Sequence, residues 1–252
     1  VGGGLSGLTV ALRRAFAGDA VTLYEAAARL GGQLWTARED GFIVELGAEG
    51  FVARSEAVPR LAADALAASG DAADRSEDRG VLWSALLDQK ATTSFRFDGD
   101  KLFALAPGEA AEALSFQVAR ADRGAGIRTF VGGMQSLTDA LAAAIRGRVD
   151  VQLERAVTAI ELDGAEVRVG GGTHDAVVLA TSSAVAARLL LPLLGETELA
   201  EAEALSSVTV SLAYEAGQIA HSLEGTGFVV AEPFEGFRAC TFTSSKFAHR
   251  AP

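Results

Sequence analysis

The sequence predicts an α/β protein: a Rossmann-like dinucleotide-binding domain, discontinuous along the chain, with a second α+β domain built on an antiparallel sheet. Three observations predict it. Gly2-Gly3-Gly4-Leu5-Ser6-Gly7 places Gly2, Gly4 and Gly7 in a G-x-G-x-x-G turn. Val21-Thr22-Leu23-Tyr24 follows as a β-branched and aromatic run, with Glu25 at its carboxyl end. Far downstream, Val177-Val178-Leu179-Ala180-Thr181 reads as a continuous buried strand, the pattern of a parallel strand covered on both faces.

Each fingerprint glycine has its own task. The first allows a tight strand-to-helix reversal, the second lets the backbone approach a pyrophosphate, and the third lets helix and strand pack closely. The helix beyond them, predicted over Ser6 to Phe16 with Ser6 as its cap, offers unpaired N–H groups and partial positive charge to phosphates. At the end of the next strand, the Glu25 carboxylate can accept both ribose hydroxyls of an adenosine. Only Val1 precedes the first glycine and there is no initiator Met, so the sequence reads as a piece of a longer chain.

A second helix is predicted over Glu56 to Ala68, and Gly70 to Gly80 is a charged, turn-rich surface connection. Leu82 to Leu87 and Thr93 to Phe97 read as strands, with Asp98-Gly99 turning the chain towards Leu102. Leu114-Ser115-Phe116-Gln117-Val118 is apolar enough to be buried, and Gly124-Ala125-Gly126 is a join. Gly132-Gly133 introduces a helix over Ser136 to Arg146, whose Leu137, Leu141 and Ile145 share one face. Val151 to Leu153, Val157 to Leu162 and Val167 to Val169 are expected to form a three-strand meander, with Asp163-Gly164 as its tight turn. Val208 to Tyr214 alternates strictly, as a half-exposed antiparallel strand does; Phe228 to Ala231 and Arg238 to Thr243 add two more. With Thr93 to Leu102 these would form the second domain's sheet. The expected division is 1–55 and 126–200 for the dinucleotide domain, 56–125 and 201–252 for the substrate domain.

At 252 residues, 49% hydrophobic and with mean hydropathy +0.24, the chain has the apolar content of a folded protein. A net charge of −11 argues against a nucleic-acid surface. Cys240 is the sole cysteine, so no disulfide forms within the chain, which fits a reducing compartment. The most apolar helical run, Ala184 to Leu194, is too short to span a bilayer and is broken by Arg188 and Pro192. His174, His221 and His249 lack metal-ligand spacing, so no metal site is expected. Asp98 and Asp100 lack the further ligands of a calcium loop. Ser182-Ser183 and Ser244-Ser245 have no G-x-S-x-G context, and Cys240 reads as a small core residue. This scarcity of catalytic side chains fits a protein whose chemistry is supplied by a bound cofactor.

Past Glu25 come Arg29-Leu30-Gly31-Gly32-Gln33 and Phe42-Ile43-Val44-Glu45-Leu46-Gly47-Ala48-Glu49-Gly50-Phe51. These resemble the flavin-dependent amine oxidase superfamily, with its E-x(3)-R-x-G-G-R and G-F-x-x-[DE]-x-G segments. Four further stretches are similar to the protoporphyrinogen/coproporphyrinogen oxidase family within it: Gly47 to Leu61, Phe95 to Leu102, Thr129 to Leu137 and Ala239 to Phe247. The resemblance implies FAD, held at Gly2, Gly4, Leu5, Ser6, Gly7, Glu25 and Ala26. It runs Arg29, Gly32, Gln33 and Leu34 under the ribityl and pyrophosphate, and brings Gly47, Ala48 and Glu49 to the isoalloxazine. It further implies an adenine clamp at the Val157 backbone and a pyrophosphate flank at Ala180. Arg54 is the candidate contact for a substrate carboxylate, and no catalytic residue is assigned.

The activity so implied is oxidation of protoporphyrinogen IX or coproporphyrinogen III in haem biosynthesis, with hydride transfer to flavin and reoxidation by dioxygen. The partners are then a tetrapyrrole and dioxygen, in a cytoplasmic protein for which peripheral contact with the inner membrane stays open. Two alternatives stand beside it: another oxidase or desaturase of the superfamily, acting on an amine or a carotenoid, and a non-catalytic dinucleotide-binding remnant. The sequence departs from the family in a short Lys101–Thr129 interval, where a helical cap is expected. It also has Gln33 for a common Arg or Lys, has Ser182 for a common Pro, and lacks the carboxyl-terminal flavin segment.

Overall fold

Helix α1 (Leu5–Phe16) buries Leu8, Ala11 and Leu12, the i, i+3, i+4 spacing of a one-sided apolar stripe, and exposes Arg13 and Arg14 in its last turn. It belongs to a computed structural model that describes residues 1–69, 86–114, 119–204, 206–234 and 236–252. The chain divides into two compact units. The first comprises Val1–Trp35, Arg60–Ser76 and Gln135–Thr209; the second comprises Thr36–Pro59, Glu77–Met134 and Val210–Pro252.

In the first unit, β1 (Val21–Tyr24) pairs in parallel with β9 (Val149–Gln152), in register from Val21↔Val149 to Tyr24↔Gln152. Helix α4 (Gln135–Ala144) leads into β9 and packs on α1, with Leu137, Leu141 and the following Ile145 fully buried. The helix α2 (Ala57–Ser69) buries Ala62 and Ala65. Strands β10 (Ile160–Asp163), β11 (Glu166–Val169) and β12 (Gly172–His174) form an antiparallel meander. Helix α5 (Ser183–Leu194) packs on β10, its Leu189 buried in one cluster with Tyr24, Val157, Ile160 and Val169.

In the second unit, β2 (Thr36–Glu39) and β3 (Phe42–Glu45) form a hairpin. Strands β4 (Phe51–Val52) and β5 (Leu86–Asp88) flank β8 (Ile127–Phe130). A four-stranded sheet has the order β14 (Phe237–Thr241), β13 (Gly227–Phe234), β6 (Ser94–Phe97), β7 (Leu102–Ala104). The short helices α3 (Glu109–Ala113) and α6 (Thr243–Lys246) complete it.

The structure corrects several expectations. The second unit's sheet is mixed, because β13 runs parallel to β6 while the outer pairs are antiparallel. The first strand expected for the meander instead joins β1, and β12 takes its place. The Asp163–Glu166 pairing shifts the tight turn to Gly164–Ala165, and Val157 precedes the strand instead of starting it. Val177 to Thr181 is no strand: Val178 and Ala180 bond Val1, at 2.8 Å each, but no ladder follows among the described residues, and Val178 is half exposed. Val208 to Tyr214 likewise has no ladder, leaving Val208, Val210, Leu212 and Tyr214 exposed. Ser6 lies inside the first turn of α1, and Gly4 is the N-cap residue, without a side-chain cap.

Most of Leu82 to Leu87, all of Gly70 to Gly80 and Ser115 to Val118 lie outside the described residues. The compact units change over at 35/36, 59/60, 76/77, 134/135 and 209/210, so that 36–55 and 126–134 fall in the second unit and 60–76 and 201–209 in the first.

Candidate functional site

The glycine turn opens α1, is tied to the end of β1, and is fixed by backbone. The Gly2 N–H donates to the Tyr24 carbonyl at 2.8 Å, and Gly31 N–H donates to the Gly3 carbonyl at 2.8 Å. A Cβ on Gly7 would lie 1.7 Å from the Gly2 carbonyl oxygen, and one on Gly2 would lie 2.4 Å from that of Ala180. These two glycines are therefore demanded by the protein's own packing. Gly4 differs: a Cβ there would meet only the Gly32 Cα, at 3.7 Å. The absence of a side chain at Gly4 keeps a space that the protein does not itself fill.

That space lies at the N-terminus of α1, where no side chain caps the helix. Its first N–H groups and the positive end of its dipole suit a phosphate. Glu25 reaches across the turn: Oε2 accepts from the Gly3 N–H at 2.6 Å and Oε1 from the Ala27 N–H at 2.7 Å. Each carboxylate oxygen keeps a second lone-pair direction for a hydroxyl. Arg29 stiffens the neighbouring loop, donating to the Leu30 and Gly32 carbonyls at 3.0 and 2.5 Å, with its guanidinium 4.3 Å from the Trp35 ring centroid. The residues present thus fit the phosphate and ribose of a dinucleotide.

Gly2, Gly4, Leu5, Ser6, Gly7, Glu25, Ala26, Arg29, Gly32, Gln33, Leu34 and Ala180 all belong to this neighbourhood by chain continuity or direct contact. Ser6, Ala26, Gly32 and Gln33 are exposed; Leu34 is buried. Val157 packs with Tyr24 and Val1 in the adjoining core. His174 is half-buried, with its Nε2 3.2 Å from the Tyr24 hydroxyl.

Gly47, Ala48, Glu49 and Arg54 belong to the second unit. Gly47 and Ala48 are exposed in the turn after β3. The Glu49 carboxylate takes the Lys246 ammonium at 2.5 Å. Arg54 is exposed and its Nη1 donates to the Ala121 carbonyl.

Sequence reasoning missed a buried polar network beside that turn. Glu45 Oε2 accepts from the Thr36 hydroxyl at 2.7 Å, and Oε1 accepts from the Met134 N–H at 2.8 Å and faces Arg250 Nη2 at 3.1 Å. Arg250 also donates to the Thr129 hydroxyl at 2.7 Å, while its buried Nε and Nη1 have no partner among the described residues. Burial holds the Glu45 carboxyl above its ordinary range, against the pull of Thr36, Met134 and Arg250; burial likewise holds Arg250 below its own. The available signal was an acid inside the apolar run Phe42 to Leu46, which needs a partner if buried.

The sequence matches the profile of the family described as flavin containing amine oxidoreductase over residues 5–83 and 63–252. The chain belongs to that family. Its members are described as flavin-containing oxidoreductases. Coproporphyrinogen III oxidases of Mycobacterium tuberculosis and Mycobacterium leprae are 52% and 49% identical to it over 67 residues, which is 25% of this chain and 15% of theirs. In overall fold, the chain is similar to an Exiguobacterium protein provisionally assigned as a protoporphyrinogen oxidase. The TM-score is 0.67 and the identity 21%, covering all of this chain and 73% of that one. Among the described residues, no helix is long and apolar enough to cross a membrane.

Proposed function

We propose that the protein is an FAD-dependent oxidase of a porphyrinogen, protoporphyrinogen IX or coproporphyrinogen III, acting in haem biosynthesis with dioxygen as terminal acceptor. The observation that carries the substrate class is the 52% identity over 67 residues to coproporphyrinogen III oxidases. FAD is favoured over a mononucleotide because Glu25 gives the site an acidic ribose partner next to the open N-terminus of α1 at Gly4. A bound flavin supplies a two-electron acceptor that dioxygen can regenerate.

The chain's own groups do the holding. The N-terminus of α1 neutralises pyrophosphate charge, Glu25 fixes the ribose, and Val157 and Ala180 border the nucleotide. Arg54 supplies a substrate carboxylate contact: apart from the bond to Ala121, its N–H groups have no protein partner among the described residues. No side chain is needed as an acid or base in this reading; position and exclusion of water are what the protein provides.

The test follows porphyrin fluorescence and hydrogen peroxide when the full-length, flavin-loaded protein receives each colourless porphyrinogen in air. Oxidation well above the spontaneous background is expected for one of the two. Oxidation of a primary or secondary amine with neither porphyrinogen consumed would replace the proposal with an amine oxidase.

A further inference from the structure

The turn over residues 46–48 is bracketed by two acids, and each is gripped by a base from the same short carboxyl-terminal stretch. Glu45, 5% exposed, meets Arg250, 1% exposed, at 3.1 Å; Glu49 meets Lys246 at 2.5 Å, with 25% and 12% of their side chains exposed. Lys246 closes α6 and Arg250 follows four residues later. Between them the fully buried Phe247 carries both cations near its ring, at 5.3 and 5.6 Å from the centroid. The backbone on each side is pinned as well. Ile43 N–H donates to the Arg250 carbonyl at 3.1 Å, and Lys90 N–H to the Lys246 carbonyl at 2.8 Å. On the far side of the turn, a Cβ on Gly50 would lie 2.4 Å from the Arg128 carbonyl oxygen.

A charge pair as well buried as Glu45–Arg250 is a costly way to gain stability, since desolvation offsets much of its attraction. Apolar side chains would fill the same volume at lower cost. What two such pairs supply is a fixed geometry: a carboxylate held by several donors has one place to be. The segment so fixed is itself exposed, small and without side-chain anchors at Gly47 and Ala48.

We propose that Lys246 and Arg250 are positioning residues that clamp the 45–49 turn into one conformation, in which its backbone is presented to the flavin ring. This rests on the reading above that Gly47, Ala48 and Glu49 border a flavin; the clamp is the new element. Neither base touches the reacting atoms in this account. Both act through the carboxylates that bracket the turn.

The experiment uses the full-length protein, first without flavin and then loaded. In the apoprotein, amide hydrogen exchange over residues 46–50 is measured for Glu49→Gln, Lys246→Gln, the double variant, and the exchanged pair Glu49→Lys/Lys246→Glu. Each single change should speed exchange by about tenfold, the double should add little, and the exchanged pair should recover most of the protection. Arg250→Lys and Arg250→Gln are compared by the same measurement, so that a poorly folding Gln variant is read against the conservative one. In the loaded protein, the single variants should alter the visible circular dichroism of the flavin and lower kcat by about tenfold with KM changed less than about twofold.

Native exchange rates in Glu49→Gln and Lys246→Gln would overturn the clamp. Loosened amides with an unchanged flavin spectrum and kcat would overturn the positioning role. If the wild type takes up no flavin at all, the functional reading falls and the positioning role falls with it; flavin uptake without porphyrinogen oxidation removes only the substrate assignment.

Discussion

Two glycine-bearing turns, Gly2–Gly7 by its fingerprint and Gly47–Glu49 by family resemblance, are expected at the cofactor, yet different forces hold them. The first is a backbone object. Gly2 and Gly7 fit because they have no Cβ, and the one charged side chain in the turn's hydrogen bonding, Glu25, caps backbone N–H groups. The second is held by side-chain charge: Glu45 and Glu49 are anchored by Arg250 and Lys246. A turn at a helix N-terminus can lean on the helix it opens and on the strand it bonds. The 45–49 turn follows a two-stranded hairpin and precedes a two-residue strand, so its neighbours supply little backbone restraint and remote side chains must provide it.

That contrast can be broken from either side. The largest effect should come from Arg250→Gln, which strands the buried Glu45 carboxylate without its counter-charge. A loss of about 3–5 kcal/mol in denaturant unfolding is expected. Gly7→Ala attacks the backbone-held turn through the 1.7 Å approach to Gly2. It should cost about 3 kcal/mol, the upper end for overpacking, and abolish flavin retention, as read by unfolding and by visible absorbance.

Gly4 sharpens the comparison. A methyl group there meets no protein atom closer than 3.7 Å, so Gly4→Ala should unfold within about 0.5 kcal/mol of wild type while flavin affinity falls by tenfold or more. A thermal or denaturant midpoint that drops along with the flavin would show that Gly4 is structural. Glu25→Ala should weaken flavin binding by about 1–3 kcal/mol through lost polar contacts, measured by fluorescence quenching.

The smallest effect is a pH dependence. Burial raises the folded pKa of Glu45 above its unfolded value, so the folded state holds a proton that the unfolded state has released. Stability should therefore fall as pH rises from the ordinary carboxylate range through the folded pKa, and be flat above it. Glu45→Gln should remove that slope from the pH series of unfolding free energies; a slope unchanged by the substitution would assign it to other groups.

Short-range features were legible in the chain alone. The glycine spacing at 2, 4 and 7, the strand at 21–24, the helical stripes of Leu8 and Leu12 and of Leu137, Leu141 and Ile145, and the turn at Asp98 all depend on contacts within a few residues, where spacing carries the geometry. Tertiary structure decided the partners. Val151 to Leu153 looked like a meander strand, but the strand that forms there, Val149–Gln152, paired with β1; Val208 to Tyr214 had the alternation of a strand and formed no ladder among the described residues; β13 chose a parallel neighbour. Alternation says which side chains share a face but not which strand lies beside it, because strand hydrogen bonds are made between distant segments. The same limit hid Arg250. An acid within Phe42–Leu46 announces that a partner is needed, and only the folded chain, by bringing its carboxyl-terminal stretch against β3, shows which base answers it.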